Sequence, residues 1–149
     1  MGSKYFEDFQ PEEKFITMGR TVTKGDVGTY CGLAGIYLPL FVDEEYGKMT
    51  MFGTTIVPGP LTFIISLGLV IRLGLLDESA IAFLGVDEQR AYAPVHCGDT
   101  LHCEMEVIQR RETRHVDRGI IKFKVTSFNQ RNEKVMDWVM PIMLKRVTR

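Results

Sequence analysis

The 149-residue sequence has no surplus of charge of either sign: 18 lysines and arginines face 19 aspartates and glutamates, a formal net charge of -1. Non-specific nucleic-acid binding, which needs excess cations to displace phosphate counterions, is left without its electrostatic motive. Cysteine is sparse. Cys31, Cys97 and Cys103 are an odd number without disulfide-framework spacing, and no signal peptide precedes them, so the expected compartment is the reducing cytoplasm. A membrane-length apolar run is missing too. The most apolar stretch, residues 56–71, opens on Pro58 and Pro60, and from Leu61 only eleven residues precede Arg72. A spanning helix needs roughly 20 apolar residues, so this stretch is expected to be a buried helix of a soluble domain. No Gly-x-Ser-x-Gly elbow, phosphate-binding loop or Gly-x-Gly-x-x-Gly fingerprint occurs, which removes the usual signatures of serine hydrolases and nucleotide-binding folds.

What is present suits one domain spanning residues 1–149, at 17.0 kDa with 45% hydrophobic and 25% charged content. Met1-Gly2-Ser3 reads equally as native sequence or as a cloning remnant. Residues 17–23, rich in β-branched side chains, predict a first strand. Thr23 then caps a short helix carrying Val27, Tyr30 and Cys31, with Asp26 in its first turn, until Gly32 and Gly35 break the pattern. An apolar loop, residues 36–42, leads to a polar stretch. Pro58 and Pro60 fit a helix start, where a missing N–H costs nothing, and predict the longest helix over about 61–76. The chain then turns strand-like. Leu101, Cys103, Met105 and Val107 alternate with polar residues, as do Ile121, Phe123 and Val125. Residues 135–147 and 81–87 supply further strands, Pro141 implying an edge position or a bulge, and turns fall at 97–100 and 129–133. An apolar helix between strands is most economically buried by an antiparallel sheet wrapped around it, an α+β arrangement.

Candidate chemistry is thin. His96-Cys97 and His102-Cys103 invite a metal reading, but strand alternation sends His102 and Cys103 to opposite faces, so no metal site is expected. The cluster Arg110-Arg111-Glu112-Thr113-Arg114-His115 reads as a solvated hairpin tip. Its sharper reading is a contact for the phosphates of a nucleotide-bearing ligand.

Gly35-x-x-x-Pro39-x-x-Val42-Asp43-Glu44-Glu45-Tyr46, followed by Gly53-x-x-Ile56-Val57-Pro58-Gly59, resembles the hydratase motif region of the MaoC-like family, which includes the (R)-specific enoyl-CoA hydratases. Residues 92–101 and 128–135 are similar to that family's closing strands, and the resemblance runs from about Phe6 to Arg146. It implies a hotdog fold, an antiparallel sheet wrapped around one long helix, usually dimeric, with acyl-CoA as substrate or ligand at the subunit boundary and no cofactor. It also implies a place in fatty acid metabolism. In active members an Asp and a His from Gly-Asp-x-Asn-Pro-x-His hold the water that adds across a trans-2-enoyl thioester. A glycine N–H at the helix entrance binds the thioester oxygen as charge develops there.

Anchored on Gly35, Pro39 and Asp43, the family Asp position is Ile36, the Asn position Leu38 and the His position Phe41. The histidine usual before the helix-entrance glycine is Pro58, while Gly59 keeps the backbone donor. No histidine precedes Val95, so no alternative dyad exists nearby in sequence. Ile36, Leu38 and Phe41 are expected to pack with Tyr37 and Val57 and fill the site, leaving Gly59, Pro58, Tyr37 and Phe41 as substrate-binding candidates. The expected function is therefore an acyl-CoA-associated protein without the hydratase dyad. It would be a homodimer or the non-catalytic partner of a catalytic MaoC-like subunit. The alternative is an active (R)-specific hydratase, acyl dehydratase or thioesterase using other groups. Among these, His96 and Asp99 take a structural reading from their match to the family's strand–turn segment.

Overall fold

The computed structural model describes residues 2–147. Met1 of the N-terminal tripeptide lies outside that range, while Ser3 is docked, its hydroxyl donating to the Leu75 carbonyl (3.3 Å) and accepting from the Glu78 N–H (3.0 Å).

The elements are a 3-10 turn (Phe6–Asp8), strands β1 (Lys14–Ile16) and β2 (Arg20–Thr21), and helices α1 (Lys24–Ala34), α2 (Pro39–Val42), α3 (Glu44–Lys48) and α4 (Gly59–Ile71). Strands β3 (Ala80–Phe83), β4 (Asp87–Ala91), β5 (Thr100–Glu112), β6 (Arg118–Phe128) and β7 (Lys134–Lys145) follow. All pair antiparallel in one sheet ordered β1-β5-β6-β7-β3, with β2 also on β5 and β4 also on β7. The α+β expectation holds. Alternation decides which face is buried: Phe15, Met105, Val125 and Trp138 stand in register across the sheet and are all buried. Helix α4 lies on that face, where its Ser66 hydroxyl accepts the Trp138 indole N–H at 2.9 Å and Phe63 meets the same indole edge-on.

Three expectations need correction. Of the strand expected over 17–23 only Arg20–Thr21 is extended in the ladder, and the longer piece, Lys14–Ile16, precedes it; Thr17 separates the two, its side-chain Oγ1, rather than a backbone carbonyl, accepting the Cys103 N–H at 2.8 Å. Helix α4 ends at Ile71 instead of about Leu76, since Arg72-Leu73-Gly74 closes as a turn with Gly74 at φ 74°, and Leu75 and Leu76 are buried beyond it. Pro141 lies on an interior strand, so of the two alternatives the edge position is wrong, and an interrupted ladder with a one-residue shift of register stands opposite it. Its carbonyl accepts from Leu84 in the gap between β3 and β4, so its missing N–H faces the one stretch of that flank where no ladder partner waits.

Among the described residues no helix is long and apolar enough to cross a membrane, and no three metal-ligating side chains converge. Cys31 and Cys103 are buried thiols and Cys97 is half-buried, none of them disulfide-bonded.

Candidate functional site at the entrance of helix α4

Helix α1 starts where expected. Thr23 Oγ1 accepts the Asp26 N–H (3.1 Å) and Asp26 Oδ2 accepts the Thr23 N–H (2.9 Å), a reciprocal cap. It runs through Gly32 and stops at Gly35, whose φ of 72° suits glycine and lets its N–H close on the Cys31 carbonyl at 2.8 Å. That reversal throws residues 36–38 across to α2. The Ile56 N–H then donates to Leu40 O (3.2 Å) and the Val57 N–H to Val95 O (2.8 Å), so segments 36–42, 56–59 and 93–97 are stitched side by side. Gly47 allows α3 to press onto this seam, since a Cβ there would stand 2.4 Å from the Thr55 nitrogen.

The seam ends at the N-terminus of α4. Pro58 is buried and Gly59 exposed, and a Cβ built on Gly59 would meet nothing within 4 Å. Thr62 closes the first turn on Pro58 O (3.1 Å), Pro60 has no N–H, and the Gly59 N–H meets no acceptor among the described residues. An unpaired donor at the positive end of a helix, with open space before it, suits an anion or a carbonyl oxygen gaining negative charge.

The structure brings Ile36 and Phe41 into this neighbourhood, both half-buried, Phe41 packing against the core. It does not gather all five residues into a sealed plug. Tyr37 and Leu38 are 62% and 55% exposed, while Val57 is 3% exposed. The reason is that residues 36–38 cross outside the core, and the Tyr37 ring leans back on α1, its hydroxyl 3.6 Å from a Cβ built on Gly32.

The ionisable groups nearby are engaged structurally. Asp43 caps α3 by accepting the Tyr46 N–H (3.0 Å), and Glu44 pairs with Lys24 across the starts of α3 and α1. Asp99 is 6% exposed; one oxygen accepts the His96 backbone N–H (2.9 Å) and the other the Gln130 amide (2.9 Å). Gln130 in turn accepts from the Thr100 N–H (3.0 Å), so Asp99 ties the 97–99 turn to the β6–β7 turn. The His96 Nδ1 stands 3.9 Å from Asp99 Oδ2, too far for a hydrogen bond. Burial pushes the Cys97 thiol up, only partly offset by Lys24. Sequence reading missed Gln130 and the Lys24–Glu44 pair, since their partners lie 31 and 20 residues away along the chain.

The arginine-rich hairpin tip is elsewhere. Strand β5 carries the chain over 13 residues, about 40 Å, from the site end to the tip. There Arg110 donates to Phe9 O (3.0 Å), Arg118 pairs with Asp117, and Arg146 pairs with Glu7 and Glu112. Within one chain these cations therefore stand at the opposite end of β5 from the entrance of α4.

Comparison with known proteins agrees with this architecture. The chain is 32% identical to a solved monoamine oxidase regulatory protein from Archaeoglobus fulgius, with a TM-score of 0.92 over 99% of this chain and 98% of that one. A Mycobacterium tuberculosis protein with a double hotdog fold superposes with a TM-score of 0.87 at 20% identity, covering 97% of this chain and 45% of that one, which bears on fold alone. Protein MaoC of Klebsiella aerogenes is 29% identical over 112 residues, 75% of this chain and 32% of that protein. Mesaconyl-CoA hydratase of Cereibacter sphaeroides is 27% identical over 144 residues, 96% of this chain and 41% of that protein. The chain thus spans less than half the length of these two relatives. The family model described as "MaoC like domain" matches residues 8–129, and the chain, with its antiparallel sheet against one long helix, belongs to this hotdog family.

Proposed function

We propose that the protein binds acyl-CoA thioesters at the entrance of α4 without itself adding or removing water, as the non-catalytic subunit of a MaoC-like hydratase or dehydratase. The observation that carries this reading is a juxtaposition. The Gly59 N–H, without an acceptor among the described residues, stands at the end of a seam whose residues 36, 38 and 41 are apolar, and the family resemblance sets its polar groups at those positions. The thioester oxygen accepts the Gly59 N–H, while Phe41 and Tyr37 offer apolar surface to the acyl part; Pro58, a candidate from the sequence, is buried and serves only to set the helix entrance. Nothing at positions 36 or 41 can take a proton from water, and Asp43, Glu44 and Asp99 are committed to caps, an ion pair and a turn. Loss of one such group typically costs about 10²–10⁴ in rate.

A second chain completes the site. Tyr37, Leu38, Val42 and Tyr46 remain substantially exposed around it, and β4 is solvent-exposed along its whole length. A homodimer or a pairing with a dyad-bearing homologue covers both surfaces. The test combines calorimetric titration with crotonyl-CoA and size-exclusion chromatography alongside a dyad-bearing MaoC-like chain. Saturable binding without hydration, and co-elution with increased hydratase activity, are expected. Absence of thioester binding both alone and in the mixture sinks the proposal.

A further inference from the structure

A groove of about 390 Å³ runs between α1 and α4, on the side of α4 away from Phe63 and Leu67. That volume is at the small end of ordinary small-molecule sites. Its walls are apolar and open: Leu33 is 88% and Ile64 49% exposed, with Tyr30 and Leu61 deeper. Such side chains left facing water on both banks of a concavity are an unmet demand for apolar contact. Gly68 lies between Ile64 and Arg72, one helical turn from each, and a Cβ built on it meets nothing within 4 Å. Glycine inside a helix costs about 0.5–1 kcal/mol relative to alanine. The missing side chain is what leaves the groove passable.

Two guanidiniums stand at the rim. Arg20 is paired with Asp26 at 2.8 Å, whereas the Arg72 side chain has no hydrogen-bond or ion-pair partner among the described residues. Two cations against one carboxylate leave the rim net positive, with one guanidinium fork unused. A guanidinium matches a carboxylate bidentately. From Leu61 to Arg72 the helix rises about 16 Å, enough to lay an alkyl chain along it.

We propose that this groove is a second ligand site, taking a free medium-chain carboxylate with its alkyl tail over Gly68 and its head on Arg72. It is independent of what binds at Gly59. The test is calorimetric titration of the whole protein with sodium decanoate, decanol and decyltrimethylammonium. Saturable one-to-one binding of decanoate is expected, at least tenfold weaker for decanol and lost for the cation. Arg72→Glu should weaken decanoate at least tenfold, and Gly68→Leu, which fills the groove, should abolish binding. Ile64→Glu, on the exposed wall, gives the same loss should Gly68→Leu fail to fold. The proposal is overturned by absent saturation, by equal affinity for the cationic amphiphile, or by decanoate binding that ignores these substitutions. Co-sedimentation with phosphatidylglycerol vesicles that the same substitutions remove would also overturn it, assigning the groove to a lipid surface.

Discussion

Installing the family's polar groups should create hydratase activity. In the variant Ile36→Asp/Leu38→Asn/Phe41→His the change is made on side chains that the structure leaves half-buried or exposed, so the fold should tolerate it. Full burial of a Phe or Ile is worth about 1.5–3 kcal/mol, so losing two half-buried ones costs about 1.5–3 kcal/mol. That lies within the 5–15 kcal/mol typical of a folded domain. An acid–base group in reach of the reacting water supplies about 10²–10⁴ in rate. Hydration of crotonyl-CoA, followed by loss of the enoyl thioester absorbance, should therefore rise by at least about 10² over the unmodified chain, and single substitutions should give less. Trp138, the only tryptophan, reports folding of each variant. A triple variant that folds, binds crotonyl-CoA and shows no turnover would refute the placement of positions 36 and 41 against the thioester.

Other consequences concern the frame that holds the site. Ser66→Ala leaves the buried Trp138 indole N–H without its 2.9 Å acceptor, which should cost about 1–3 kcal/mol in urea unfolding, and an effect within experimental scatter would show that another acceptor substitutes. Burial pushes the Cys103 thiol from its ordinary 9.0 up to about 11, so the fold favours the protonated form. Its contribution is therefore full below about pH 9 and is lost as pH rises through about 11, an upper bound on the order of 2–3 kcal/mol. Unfolding curves across that range should lose part of their pH slope in Cys103→Ala. Gly119→Ala puts a Cβ 2.5 Å from the buried Phe6 ring and should destabilise by about 1–3 kcal/mol, an effect largely relieved by Phe6→Leu in the double variant.

Much of this architecture could be read from local chemistry. Thr23 and Asp26 announce α1, the Pro58–Pro60 pair marks the start of α4, and the alternation through Cys103 and Val125 gives both strands and their buried faces. What escaped was decided by partners far along the chain. Thr17 reads as a strand residue until its hydroxyl is seen to replace a ladder bond to Cys103, and Pro141 reads equally as an edge or a bulge marker because the gap between β3 and β4 has no sequence signature. At the site, apolar character at 36–41 suggests a filled core. Exposure of Tyr37 and Leu38 follows instead from the path of the chain after the Gly35 reversal, which residue types alone do not fix.

The central claim, thioester binding without hydration, is tested most directly by incubating the purified chain alone with crotonyl-CoA and measuring 3-hydroxybutyryl-CoA. The account predicts bound thioester and no product above the uncatalysed background. Turnover that persists in Ile36→Ala and Phe41→Ala but disappears in His96→Ala or Asp99→Ala would contradict it.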